Sequence, residues 1–119
     1  MNRVHKLAIV GAHRSGKTEA ALAYALLAAR RGPVMFICEN DVDAKQLRSQ
    51  VMMEAESKPL LFCGLSRFVL VSAFALPFQT IVVDAVPSSV ATKQISIFAA
   101  RAAAHHGEAW LAATHATPA

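Results

Sequence analysis

Short apolar runs alternate with amphipathic stretches along this chain, and that alternation frames the rest of the reading. Leu7-Ala8-Ile9-Val10, Val34 to Cys38 and Ile81 to Val83 are unbroken apolar runs. Such runs suit strands covered on both faces, whereas a strand with one wet face alternates polar and apolar residues. Strands are predicted near residues 5–10, 33–38, 59–63, 67–72, 80–84 and 109–113. A first helix is predicted over about 17–31, stopped by Arg30-Arg31-Gly32-Pro33, where cations, glycine and proline combine. A second starts at Asn40 or Asp41 and carries the stripe Ala44, Leu47, Val51 and Ala55, leaving Asp43, Lys45, Arg48 and Glu54 to solvent. A third follows the capping serines of Pro87-Ser88-Ser89, with Ile95, Phe98, Ala99 and Ala102 on one face, and stops at Gly107. The pattern predicts an α/β chain with helices packed on a mainly parallel sheet of five to six strands.

Composition sharpens this picture. Hydrophobic residues make up 55% of the 119 positions and charged residues 17%, which excludes a disordered chain and fits a sheet covered on both sides. The length predicts one domain, residues 1–119, with a real core. No apolar run reaches the roughly 20 residues of a membrane helix; Phe68 to Phe78 is too short and contains Pro77. Met1 to Lys6 lead straight into the first strand, so neither a signal peptide nor a membrane partner is expected. Cys38 and Cys63 fall near strand ends with no metal-site spacing, which predicts two free thiols and a cytoplasmic location. His105 and His106 precede Gly107, where cations suit a helix C-terminus better than they suit a metal. Trp110, inside a predicted strand, is expected in the core.

The chemistry concentrates in eight residues: Gly11, Ala12, His13, Arg14, Ser15, Gly16, Lys17 and Thr18. They fit G-x-x-x-x-G-K-[ST], with an apolar strand before them and a helical pattern after. That context lets backbone N–H groups curl around phosphate oxygens at a helix N-terminus. The glycines allow the tight path, Lys17 reaches the terminal phosphates, and the Thr18 hydroxyl is suited to Mg²⁺. The expected ligand is ATP or another NTP with Mg²⁺.

A second motif supports the first. Thr80-Ile81-Val82-Val83-Asp84 is an apolar strand ending in a carboxylate, the Walker B arrangement, in which Asp84 accepts from Mg²⁺-bound water. The next residue is Ala85. Many hydrolysing P-loop ATPases carry there a glutamate that polarises the attacking water, assistance worth about 10²–10⁴ in rate. Glu39 is the carboxylate that could substitute from a neighbouring strand, but capping of the second helix together with Asn40 and Asp41 is its simpler expected role.

Residues 11–21 resemble the phosphate loop of phage terminase large subunits, which often carry Arg directly before Ser-Gly-Lys-Thr. Val34 to Cys38 followed by a helix is similar to the corresponding motif of terminases and DEAD-like helicases. Arg67 to Ser72 and then Thr80 to Asp84 resemble the strand pair leading into Walker B, and Trp110 to Thr114 resemble the strand of the coupling motif. The resemblance implies a three-layer, RecA-like P-loop NTPase fold. It implies catalytic roles for Lys17, Asp84 and Arg14, the last at the γ-phosphate. It departs at Ala85, and the chain stops at Ala119, where a second motor lobe or nuclease domain is expected to be missing.

The function expected from all this is an NTP-binding module related to nucleic-acid motors, with weak or absent hydrolysis of its own. It would act in DNA packaging or processing within a bacterial or phage-infected cytoplasm. A net charge of +4 is spread without an arginine-rich run or aromatic platform, so DNA contact is expected to be weak and non-specific. A protein partner or a homo-oligomer is expected. The alternatives are a small ATPase completed in trans by Arg67 or Arg101, a small kinase, for which no lid segment is visible, and a structural protein with an empty loop.

Overall fold

The computed structural model describes residues 3–11, 16–52, 60–65, 78–84 and 89–116. Its elements run β1 (Arg3–Gly11), α1 (Lys17–Ala28), β2 (Val34–Cys38), α2 (Asp41–Gln50), β3 (Leu60–Gly64), β4 (Thr80–Val83), α3 (Ser89–His106) and β5 (Glu108–Ala116). The five strands form one sheet in the order β1-β5-β4-β2-β3, and every pairing is parallel. The predicted strand at 67–72 lies outside the described residues, as do Ala55, Glu54 and the serine cap before α3.

Alternation along each strand sorts the core into two halves. Val34, Phe36, Cys38, Phe62, Val82 and Ala112 pack against Ala21, Leu22, Ala25 and Ala28 of α1 and Ala44 and Leu47 of α2. Met35, Ile37, Cys63, Ile81 and Val83 pack against Ile95, Phe98 and Ala99 of α3. The result is a three-layer α/β fold, compatible with a RecA-like one. Both helical stripes fall where the sequence pattern puts them. The inner face of α1 is mostly alanine, so its backbone can approach the sheet closely.

Boundaries differ in informative ways. The first helix closes at Ala28, three residues early, because the chain tightens there: Arg30 and Arg31 N–H groups donate to Leu27 and Ala28 three residues back. β1 extends from Arg3 to Gly11 because parallel pairing with β5 runs its full length, past the apolar run that revealed it. Gly107 takes a φ of 89° after α3, the left-handed stop its position predicted.

Trp110 is a correction. It is only half-buried and lies at the N-terminal end of the sheet, where the Arg31 guanidinium sits 3.7 Å from its ring centroid and His5 stacks on it at 5.1 Å. His5 Nε2 lies 2.9 Å from Glu108 Oε2, and Arg31 also donates to the buried Thr80 hydroxyl at 3.2 Å. An indole with a polar edge suits such a boundary better than a closed core. Arg31 thus helps to fasten the N-terminal end of the sheet.

Gly64 ends β3 against the start of α2. A Cβ there would lie 2.5 Å from the Asn40 carbonyl carbon and the Asp41 nitrogen, and the Gly64 N–H donates to Asp41 Oδ1 at 3.0 Å. Gly64→Ala should therefore destabilise the protein by about 1–3 kcal/mol, as overpacking against backbone does, measured as a lower urea midpoint. An unchanged midpoint would mean that β3 and α2 are not in this contact.

Candidate functional site

All five strands end on one side of the sheet, and that edge collects the polar residues the motifs singled out. In open parallel sheets ligands bind outside the carboxyl ends of the strands. β1 delivers Gly11, and α1 begins beside it after Gly16, whose φ of 87° and ψ of 17° are left-handed. Glycine holds that conformation at little cost. No described side chain caps α1, whose first N–H groups stand at the positive end of the helix dipole. Lys17 Nζ donates to the Gly11 carbonyl at 3.1 Å. Ala12, His13, Arg14 and Ser15 lie outside the described residues, as does Ala85.

Asp84 follows directly on β4. Its N–H donates to the Ile37 carbonyl at 2.9 Å, which continues the ladder one step beyond the Ile37–Val83 pair. On its other flank Val83 pairs with Ala113, so Thr114 stands beside Asp84. The Thr114 hydroxyl donates to Asp84 Oδ1 at 2.9 Å, and the Thr18 hydroxyl donates to Oδ2 at 3.0 Å. Two motifs 66 residues apart in sequence therefore meet through one carboxyl group. Thr18 and Asp84, named from the sequence, are brought together. Thr114 was singled out only as the end of a coupling strand, and no spacing rule reveals that it reaches Asp84.

Next to this contact is an open cleft of about 260 Å³. Thr18 and Asp84 form one wall, Cys38 and Glu39 the end of β2, and Asp43, Gln46, Leu47 and Gln50 the face of α2. The Glu39 reading needs correction. Asn40 is the N-cap of α2 and its side chain accepts from the Asp43 N–H at 2.9 Å, while Asp41 receives Gly64. Glu39 is left facing the cleft, beside Thr18 and Asp84. Asparagine caps at least as well as a carboxylate, so no cap was needed from position 39.

The donor chemistry suits a hard cation with its own anionic partner. Thr18 and Asp84 offer one hydroxyl and one carboxylate oxygen set, too few for an all-protein cage and typical of Mg²⁺ that completes its shell with water and phosphate oxygens. Among the described residues no group of three His, Cys, Asp or Glu could hold a metal, and His105 and His106 sit in the last turn of α3. Among the described residues no helix is long and apolar enough to cross a membrane. No family model matches the chain, and no curated protein is significantly similar to it.

Cys38 and Cys63 are free, buried thiols on opposite faces of the sheet. Burial pushes the Cys38 thiol up from 9.0 to about 12, and the nearby Asp84 and Asp43 charges and Cys63 add to the shift. A raised pKa means the folded state holds its proton longer than the unfolded chain. Its contribution is intact below pH 9 and is lost as pH rises from about 9 toward 12. Between pH 8 and 10 the wild type should lose about 1 kcal/mol more stability than Cys38→Ala. Denaturant titrations of both proteins at the two pH values measure this, and identical losses would remove Cys38 from the buried cleft wall.

Proposed function

We propose that this chain is an NTP-binding P-loop module that holds Mg²⁺·NTP on residues 11–18 and hydrolyses it slowly when alone. The observation that carries the reading is the Thr18–Asp84 hydrogen bond at 3.0 Å. It joins a hydroxyl at the start of α1 to a carboxylate at the end of β4, across the intervening strand β5. A hydroxyl and a carboxylate so paired are the two protein groups that an NTP-bound Mg²⁺ requires, the first as a ligand and the second toward bound water. The left-handed Gly16 and the uncapped start of α1 support the same reading from the phosphate side.

Each residue then has a task. The α1 N–H groups and the loop backbone bind the phosphates. Lys17 exchanges the Gly11 carbonyl for phosphate oxygen, trading one acceptor for a more strongly charged one. Arg14 adds charge at the γ-phosphate. Thr114 holds Asp84 Oδ1 and so keeps Oδ2 turned toward Thr18. Mg²⁺, when bound, neutralises phosphate charge. The terminase-like or helicase-like relation, and a role as a nucleotide-dependent accessory in DNA packaging or processing with a protein partner or second copy, rest on the loop sequence and on strand character. They belong to the proposal.

Calorimetry with Mg·ATP tests it. Lys17→Ala should weaken binding at least tenfold, about 1.4 kcal/mol, and equal binding by both proteins would defeat the assignment. Steady-state turnover of the verified monomer should stay below about 1 s⁻¹, the low end for enzymes, because no neighbouring subunit contributes an arginine. Anisotropy with labelled DNA should detect weak binding that falls steeply between 50 and 200 mM salt, as counterion release requires. A tight, salt-insensitive complex would make the chain a DNA reader instead.

A further inference from the structure

We infer that Glu39, and not a residue following Asp84, is the carboxylate that polarises the attacking water in this site; the inference rests on the NTP-binding reading above. Three observations converge on it. Position 85 is alanine, so the strand that carries Asp84 offers no carboxylate at its next residue. The ladder sets β2 beside β4, with Ile37 opposite Val83 and the Asp84 N–H on the Ile37 carbonyl. Cys38 therefore flanks Asp84, and Glu39 is the next residue along that strand. Finally, Glu39 lines the same cleft as Thr18 and Asp84.

The competing carboxylates have other work. Asp41 accepts from the Gly64 N–H at 3.0 Å. Asp43 lies in the first turn of α2, where negative charge stabilises the helix, one turn away from the strand ends. Asn40 performs the capping that would otherwise have explained an acidic residue before α2. Among the described residues Glu39 is exposed and makes no hydrogen bond or ion pair, so its side chain is available to water in the cleft.

The step is a hydrolysis. A water oxygen bonds to the γ-phosphorus while the bond from that phosphorus to the β,γ-bridging oxygen breaks, its electron pair leaving on the nucleoside diphosphate. The Glu39 carboxylate accepts one proton from the water and later releases it to solvent, so the products are NDP, inorganic phosphate and a proton.

Glu39→Gln keeps shape and hydrogen bonding but removes the base, and as an exposed side chain it should leave the melting temperature unchanged. The variant should bind Mg·ADP and Mg·ATP within about twofold of wild type. Its affinity for Mg·ADP with fluoroaluminate, which captures the in-line water, should fall at least tenfold, and single-turnover hydrolysis should fall by about 10² or more. Equal fluoroaluminate affinity, equal turnover, or a wild type that binds Mg·ATP without ever hydrolysing it would each overturn the role of Glu39. Failure of both proteins to bind any nucleotide would instead bring down the NTP-binding reading, and the inference with it.

Discussion

Asp84 is the one buried acidic or basic residue among the described residues, and much of the architecture answers to it. A carboxylate removed from water is costly unless its oxygens are satisfied. Here the two oxygens are satisfied from different elements, by Thr18 at the head of α1 and Thr114 near the end of β5. Both donors must arrive together. That requires β5 to lie between β1 and β4 in a register that places Thr114 beside Asp84, and it requires α1 to start at the level of the strand ends. Slipping β5 by one residue would turn Thr114 to the opposite face and leave Oδ1 without its donor. The sheet order and the site are in this sense one constraint.

The rest of the sheet tolerates that demand because it is otherwise apolar and closely packed. α1 meets it with alanines, whose small side chains hold Thr18 near Asp84 without a thick intervening layer. The opposite end of the sheet is fastened by different physics. Arg31, Trp110, His5 and Glu108 form a stacked and hydrogen-bonded cluster, and the Gln79 side chain donates to the Glu108 carbonyl at 3.2 Å. Polar anchoring at the strand starts is thus separate from the carboxylates gathered at the strand ends.

Periodicity made the fold class legible. The helical stripes of α2 and α3 and the unbroken apolar runs of β2 and β4 are local signals, and they survive folding unchanged. Strand order is not local: nothing in Glu108 to Ala116 announces that it separates β1 from β4. The edges of elements were also poorly marked, since β1 is lengthened by its partner and α1 is shortened by a tight last turn. For the site, the loop pattern pointed to Gly11, Gly16, Lys17 and Thr18, and the structure brings Thr18 to Asp84. Thr114 and Glu39 were named from the sequence without their places beside Asp84, for one shared reason: each comes near it through a neighbouring strand, and register across a parallel sheet is invisible in a single chain segment. Trp110 was misread because hydrophobicity alone does not separate an indole in the core from one that closes the end of a sheet.

Charge divides the candidate site into two halves. On the loop side stand the α1 N-terminus and Lys17, both attractive to phosphate. On the cleft side stand Glu39, Asp43 and Asp84 with the amides of Gln46 and Gln50, and among the described residues no cationic one lines that wall. A polyanion pressed against three carboxylates would be repelled, so the cleft itself is not a phosphate pocket. It is a place for water and for positive charge. On the proposed reading the phosphate chain lies along the loop with its terminal group at the border, where Mg²⁺ and Lys17 offset the repulsion and the acidic wall faces the water that attacks. On that reading the loop side holds the phosphates and the acidic side holds the attacking water.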